Sequence, residues 1–175
     1  MARLFITCCF IFLAGCSSLP SSTLPSLQWQ LTGRAVFQDS QQRESASIYW
    51  QSAAQQDIIQ LSGPFGQGAV RLIADNNGAS LWQDGEQKIK SSSLENLLFE
   101  QLNWRVPIAE FRHWVRGDTA PGPFNPLIED ENTRQFEQSG WRVTQSKIQS
   151  DGLPRKVVIA REPYKLTLLI AKWTS

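Results

Sequence analysis

Three cysteines and one histidine are the side chains of this 175-residue chain that most readily bind transition metals, and a free cysteine thiol is also a strong nucleophile. Cys8 and Cys9 lie inside an apolar N-terminal stretch, and Cys16 ends the run Leu-Ala-Gly-Cys that follows it. A single histidine, His113, excludes His-rich metal sites and leaves a Ser-His-Asp triad possible only through that residue. The sequence contains no G-x-S-x-G, phosphate-binding glycine loop or H-E-x-x-H motif. The thiol of Cys16 is therefore the group with the clearest chemistry.

The N-terminal segment resembles a bacterial lipoprotein signal peptide. Arg3 supplies a positive start, and residues 4–13 form an apolar region far shorter than the ~20 residues of a membrane-spanning helix. Small residues then precede Cys16, as at a signal cleavage site. The resemblance implies cleavage before Cys16, a diacylglyceryl group on its sulfur and an acyl group on its amine. The alternative is an ordinary secretory signal in which Cys16 occurs by chance.

Composition predicts one folded domain on a tether. Removing residues 1–15 of the 175 leaves 160, enough for one domain with a hydrophobic core. Residues 16–26 contain the cysteine and a Ser- and Pro-rich stretch, and they are predicted to form a flexible tether to the domain of residues 27–175. Loss of Cys8 and Cys9 leaves no pair for a disulfide. With 17 Lys and Arg against 16 Asp and Glu, no basic excess favours nucleic acid.

Apolar periodicity predicts the α+β fold class. Period-two alternation marks about ten short strands, with turn signals such as Asp84-Gly85, a type I′ hairpin candidate, between them. Two segments have helical spacing instead, one after the capping-box sequence at residues 92–95 and one from Pro107 to the stop signal Gly117. Residues 117–125 are predicted to be loop. The helices are too few to alternate with the strands, so we expect a curled antiparallel sheet, a half-closed barrel.

Six short pieces follow one another along the predicted domain: WQLTGR at 29–34, IYW at 48–50, LSGPFG at 61–66, WVRG at 114–117, GW at 140–141 and LP at 153–154. Their order resembles the LolB family of outer-membrane lipoproteins over essentially the whole predicted domain. The resemblance implies a half-open, unclosed β-barrel with helices as a lid over an apolar cavity, and no cofactor besides the covalent lipid. It also implies that the chain accepts acylated lipoproteins from the soluble periplasmic carrier LolA and passes them into the outer membrane without nucleotide.

A short loop between two predicted strands, Gly63-Pro64-Phe65-Gly66, is the candidate cargo-delivery loop. The resemblance implies an exposed apolar residue at the position of Phe65, and turn residues between strands are usually exposed. We interpret Phe65 as inserting into the membrane or meeting an acyl chain; the alternative is that it folds back onto the core. Ser17 follows the lipidated cysteine, where the resemblance links Asp to inner-membrane retention, so Ser favours the periplasmic face of the outer membrane.

Apolar residues of the strands and helices are candidates for the wall of an acyl-chain cavity. Seven tryptophans provide much aromatic surface to line or fill such a space. The alternative for each candidate is ordinary core packing, because a cavity wall and a core share their composition. The candidates are Trp29, Leu31, Trp50, Leu61, Leu72, Trp82, Leu97, Leu98, Phe111 and Trp114.

Two charged or titratable side chains lie off the apolar faces. Arg34 is predicted to be a structural or solvated charge, or else a partner contact, and His113 is predicted to lie on the surface without a catalytic role. No carboxylate pair has a spacing that favours acid–base catalysis, so an enzyme is the weaker alternative. A second alternative function is an assembly scaffold that docks a protein through its tryptophan-bearing face. Expected partners are a LolA-type carrier, acylated lipoprotein cargo and outer-membrane phospholipid; we expect a monomer without metal or nucleic acid.

Overall fold

The computed structural model describes residues 27–63, 68–102 and 106–174. The predicted signal peptide, Cys16, the tether, Trp104 and three residues of the predicted delivery loop (Pro64, Phe65 and Gly66) lie outside the described residues. Within the described part, no helix combines the length and the apolar character needed to cross a bilayer.

Eleven antiparallel strands and two helices make up the described domain. The strands are β1 (Leu27–Gln38), β2 (Arg43–Ala53), β3 (Gln56–Ser62), β4 (Val70–Asp75), β5 (Gly78–Gln83), β6 (Glu86–Ser91), β7 (Asn125–Glu129), β8 (Thr133–Gln138), β9 (Trp141–Ser146), β10 (Lys156–Arg161) and β11 (Tyr164–Thr174), and the helices are α1 (Leu94–Leu102) and α2 (Ile108–Val115).

All eleven strands belong to one sheet with the order β6-β5-β4-β3-β2-β1-β11-β10-β9-β8-β7. Two runs of consecutive hairpins therefore meet where the first strand pairs with the last. Strands β6 and β7 form the two free edges, so the sheet does not close on itself. The predicted α+β class with an unclosed antiparallel sheet is confirmed.

The sheet has an inner face, which packs against the helices, and an outer face. The ring of Trp50 on β2 lies 5.4 Å from the ring of Phe111 on α2, which identifies the inner face. Leu31 and Leu168 are almost fully buried on the same face of the neighbouring strands. Because side chains alternate along each strand, the residues between these positions form the outer face. The apolar core and both helices thus lie on one side of the sheet.

A bulge lies at the centre of the sheet, where β1 pairs with β11. The register shifts between Thr32 and Gly33. A Cβ atom on Gly33 would overlap the backbone oxygen of Leu169, so the close approach of the two strands requires glycine at this position. Bulges bend a strand and increase its twist, which favours the curled sheet expected from the sequence.

The helices begin and end at specific hydrogen bonds. Ser93 Oγ accepts the backbone N–H of Asn96 at 3.1 Å at the start of α1, while Glu95 Oε1 accepts the N–H of Ile108 at 3.1 Å at the start of α2. The predicted capping box, with Glu95 as its acidic partner, is therefore wrong, because Glu95 caps the following helix instead. Gly117 follows α2 with a φ of 95°, which confirms it as the stop signal.

One predicted hairpin turn is present in the structure, and one edge strand is present that the sequence does not predict. Asp84 and Gly85 both have positive φ, 54° and 79°, which confirms the two-residue hairpin between β5 and β6. Strand β7 has no counterpart among the strands expected from the sequence. That strand carries Pro126, has a register shift before Ile128 and is exposed along its whole length. An edge strand of this kind has no apolar alternation to reveal it.

Candidate functional site

The sheet has two ends along the direction of its strands. We call the end with the turns after β1, β5, β8 and β10 the hairpin end, and the end with Leu27 and Thr174 the terminal end. Strand β3 runs to the hairpin end, where Ser62 pairs with Ser47. Gly63 follows directly and is half-buried. The predicted delivery loop therefore leaves the sheet at the hairpin end, opposite to the end at which the predicted tether joins β1.

A cavity of about 530 Å³ opens at the hairpin end between the sheet and the last turn of α1. Its apolar lining comes from Phe37, Ala46 and Leu61 on β1, β2 and β3, while Glu100 and Gln101 of α1 form the facing wall. The volume is within the range of pockets that hold small organic molecules. Leu61 lies two residues before Gly63, so the cavity reaches the part of β3 that leads into the predicted delivery loop.

The rim of this cavity is acidic. Asp39, Glu44 and Glu100 contribute carboxylates, and none of the lining residues is basic. Backbone N–H groups of Gln41 and Gln42 donate to Asp39 Oδ1 at 2.8 and 2.9 Å, and these bonds hold the pKa of Asp39 below its usual value. Among the described residues no group of His, Cys, Asp or Glu forms a potential metal site.

An ion pair fixes α2 to the sheet. Asp57 on β3 is fully buried, and its Oδ1 accepts the Nε1–H of Trp50 at 3.1 Å. Its second oxygen pairs with Arg112 of α2, whose side chain is 40% exposed. Burial lowers the pKa of the Arg112 guanidinium. The pair satisfies a carboxylate that would otherwise be buried without a counter-charge.

Two buried glutamines connect the end of α2 to the other half of the sheet. Gln138 Oε1 accepts the Nε1–H of Trp114 at 2.8 Å and the backbone N–H of Ala120 at 3.0 Å. Gln145 Nε2 donates to the backbone oxygens of Trp114 at 2.9 Å and Asp118 at 3.2 Å. Both strands that carry these glutamines are thereby linked to the helix. Trp114 is held at its ring and at its backbone.

Nine of the ten predicted wall residues belong to the core or pack against it. Trp29 is at the centre of an aromatic group, with ring centroids 5.0 Å from Trp50 and 5.7 Å from Trp173. Leu61 lines the cavity as well as packing against the core, whereas the other eight are not among the residues that line the cavity. Contact of these side chains with an acyl chain stays a prediction. The nine are Trp29, Leu31, Trp50, Leu61, Leu72, Leu97, Leu98, Phe111 and Trp114.

The prediction that Trp82 lines the cavity is wrong, because this residue does not lie on the inner face. It pairs with Arg71 and donates its Nε1–H to Ser80 Oγ at 2.8 Å, and Leu81 between them faces inward. Neighbouring residues of a strand face opposite sides, so Leu81 and Trp82 cannot both line the cavity.

Arg34 and His113 both lie away from the apolar core, as the sequence predicts, while their roles stay predictions. Arg34 is exposed on the outer face, opposite the apolar positions, and approaches Ser45 Oγ at 3.5 Å. His113 is exposed on α2, at the surface position that the sequence predicts.

The polar residues of the inner face are what sequence reasoning missed. Asp57, Gln138 and Gln145 each occupy an inward position in phase with buried apolar residues of the same strand. A polar residue in phase with an apolar period is a detectable signal, because a buried polar group needs a partner. The partner itself, such as Arg112 or Trp114, comes from a distant segment and has no local signature.

Comparisons with known proteins agree with the segment order. A family model described as "Outer membrane lipoprotein LolB" matches residues 27–173. The outer-membrane lipoprotein LolB of Marinomonas sp. is 27% identical over 161 residues, covering 89% of this chain and 84% of that protein. The one from Pseudomonas fluorescens is 33% identical over 150 residues, covering 83% and 73%. A crystal structure of a LolA superfamily protein from Nitrosomonas europaea has a TM-score of 0.45 and 10% identity, covering 83% of this chain and 84% of that one. The chain belongs to the LolB family of outer-membrane lipoproteins.

Proposed function

We propose that this chain, anchored by lipid to the outer membrane, accepts acylated lipoproteins from a LolA-type carrier and inserts them into that membrane without nucleotide. The observation that carries the proposal is the cavity at the hairpin end. Its wall is apolar at Phe37, Ala46 and Leu61, and Leu61 lies on β3 two residues before Gly63, where the predicted delivery loop begins. An acyl chain could enter there and leave towards a bilayer beside the same loop.

The energetics of acyl chains require a site of this kind. Each buried CH₂ group contributes about 0.8 kcal/mol, so exposing roughly forty methylenes of a cargo lipid to water would cost on the order of 30 kcal/mol. A receptor must therefore offer apolar surface that shields most of these methylenes from water. Transfer then proceeds without an energy source when the receiver binds the chains better than the donor, and the membrane better than the receiver.

The cavity must widen to hold a whole lipid. Its volume of about 530 Å³ is that of a pocket for a drug-sized molecule, which is smaller than a cargo lipid of roughly forty methylenes. Helix α1 forms the facing wall through Glu100 and Gln101, at the end remote from its cap at Ser93. We infer that this end of α1 moves away from the sheet when cargo enters, which would bring acyl chains towards Leu97 and Leu98.

No bond needs to be made or broken in such a transfer, so we assign no catalytic residue. The lipid on Cys16 serves as an anchor rather than as a reactant. The rival proposal, an assembly scaffold, requires a stable protein partner and no acyl binding.

The delivery step is tested with Phe65→Glu and, as a matched control, Phe65→Leu. We expect both variants to receive fluorescent acylated lipoprotein, and only Phe65→Glu to lose its release into liposomes, because a carboxylate resists insertion into hydrocarbon. Unfolding temperatures of the two variants separate a loss of delivery from a loss of fold. Release by Phe65→Glu at the native rate would end the assignment of this loop.

A further inference from the structure

Charge is distributed unevenly between the two faces of the sheet. The whole chain is nearly neutral, with 17 Lys and Arg against 16 Asp and Glu. On the outer face, however, the acidic side chains within the strands are Asp75 and Glu137 alone among the described residues. The register places eight basic side chains on that same face: Arg34, Arg43, Arg71, Lys90, Arg142, Lys156, Lys165 and Lys172.

Among the described residues, Arg142 is the one of these eight cations that forms an ion pair. Arg142 pairs with Glu137 at 2.8 Å. Within the described part of the chain, no ion pair involves Lys156, Lys165 or Lys172, and the latter two are exposed. The positive charge of this face is therefore available to an external partner.

Apolar and aromatic side chains lie among the cations. Leu169 is 42% exposed and is the cross-strand neighbour of both Arg34 and Lys156. Trp82 and Tyr49 are half-buried on the same face. Basic residues mixed with exposed apolar and aromatic groups are typical of surfaces that bind the interface of an anionic bilayer.

We propose that the outer face binds the surface of a bilayer that contains anionic phospholipid, so that the anchored protein lies with its sheet along the membrane. Cations near such a surface are attracted by its negative potential, and each Lys or Arg strengthens binding about fivefold. A membrane is the favoured occupant because a lipoprotein of this family is anchored beside one, which keeps the bilayer at high local concentration.

The geometry of the two ends supports this orientation. Strand β1 has 12 residues and spans about 40 Å at 3.3 Å per residue. It separates the terminal end, where the tether joins, from the hairpin end, where the delivery loop leaves the sheet. Residues 17–26 span at most about 35 Å when fully extended, so the anchor does not by itself bring the hairpin end to the membrane. With the outer face on the bilayer, both ends lie at its surface.

The test places an environment-sensitive fluorophore on either face of the full-length chain, expressed and processed in a Gram-negative host and reconstituted by its anchor. Ser47→Cys carries the label on the outer face and Ala109→Cys carries it on α2, both at exposed positions. Vesicles contain phosphatidylethanolamine alone or with phosphatidylglycerol, together with a headgroup-labelled quencher lipid. We expect at least threefold stronger quenching at Ser47→Cys than at Ala109→Cys in the anionic vesicles, and loss of the difference in high salt.

Charge reversal provides the matched control. In the Ser47→Cys background, Lys165→Glu/Lys172→Glu should abolish the lipid-dependent quenching. Arg116→Glu/Arg161→Glu changes the net charge equally and should leave it intact, because Arg116 follows α2 and Arg161 is on the inward side of β10 by alternation. Equal quenching at the two labels, or the same quenching in both vesicle types, would overturn the proposal. So would quenching that appears only after an acidic protein partner is added. Cargo transfer is not needed for this readout, so the outcome is separate from that of the proposed function.

Discussion

Replacing Arg112 with leucine should destabilise the protein more than neutralising its partner Asp57. Asp57 is 0% exposed, so Arg112→Leu leaves a buried carboxylate without its counter-charge, at a cost of about 3–5 kcal/mol. Asp57→Asn keeps an oxygen for the Nε1–H of Trp50, and the guanidinium of Arg112, whose side chain is 40% exposed, can turn to water. The cost of Asp57→Asn is then about 1.5–3 kcal/mol, that of one charge-assisted hydrogen bond.

Urea unfolding followed by far-UV circular dichroism measures both changes. The double variant Asp57→Asn/Arg112→Leu should be more stable than Arg112→Leu alone, because neutralising the buried carboxylate removes the larger penalty. Arg116→Leu is the control, since Arg116 is exposed just after the same helix, and it should change the unfolding free energy by less than about 0.5 kcal/mol. If Asp57→Asn costs more than Arg112→Leu, or if the double variant is the least stable, the reasoning about the buried charge is wrong.

Three further predictions concern the inner face and the cavity. Gln138→Leu leaves the buried N–H groups of Trp114 and Ala120 without an acceptor and should lower the unfolding free energy by about 2–4 kcal/mol in the same urea assay. Asp39→Ala should lower the melting temperature at neutral pH but not in acid. The depressed pKa of Asp39 stabilises the fold above the pKa of the unfolded chain, and this contribution is lost as the pH falls through the folded pKa. Leu61→Glu should weaken binding of a fluorescent fatty acid at least tenfold, on the order of 1.4 kcal/mol, whereas Gln60→Glu, exposed on the outer side of the same strand, should not.

Much of the fold could be predicted because its information is local. Period-two alternation identified the inner residues of β1 and β2, from Trp29 to Trp50, because the sheet buries one face only. The hairpin at Asp84-Gly85 could be predicted from two residues, since a two-residue turn with positive φ at both positions strongly favours Asp-Gly. The edge strand β7 could not, because it is exposed throughout and its residues have no buried side to select them.

The site was less predictable, because its decisive contacts join distant segments. Trp82 looks like a wall residue by type, and only the phase of β5 relative to Leu81 assigns it to the outer face. The pairing of Asp57 with Arg112 joins a strand to a helix 55 residues further along the chain, and no local pattern encodes it. The basic outer face likewise depends on register across strands, because its lysines and arginines are scattered along a nearly neutral sequence.

The most direct test of the receptor proposal is a transfer assay. The full-length, processed chain in detergent-free nanodiscs would be mixed with a LolA-type carrier loaded with a fluorescent acylated lipoprotein, in the absence of nucleotide, and the holder of the cargo would be followed by native separation. The account predicts that the cargo leaves the carrier for this chain and that Leu61→Glu slows that movement while Gln60→Glu does not. Retention of the cargo on the carrier, with both proteins folded, would contradict the account and favour the scaffold.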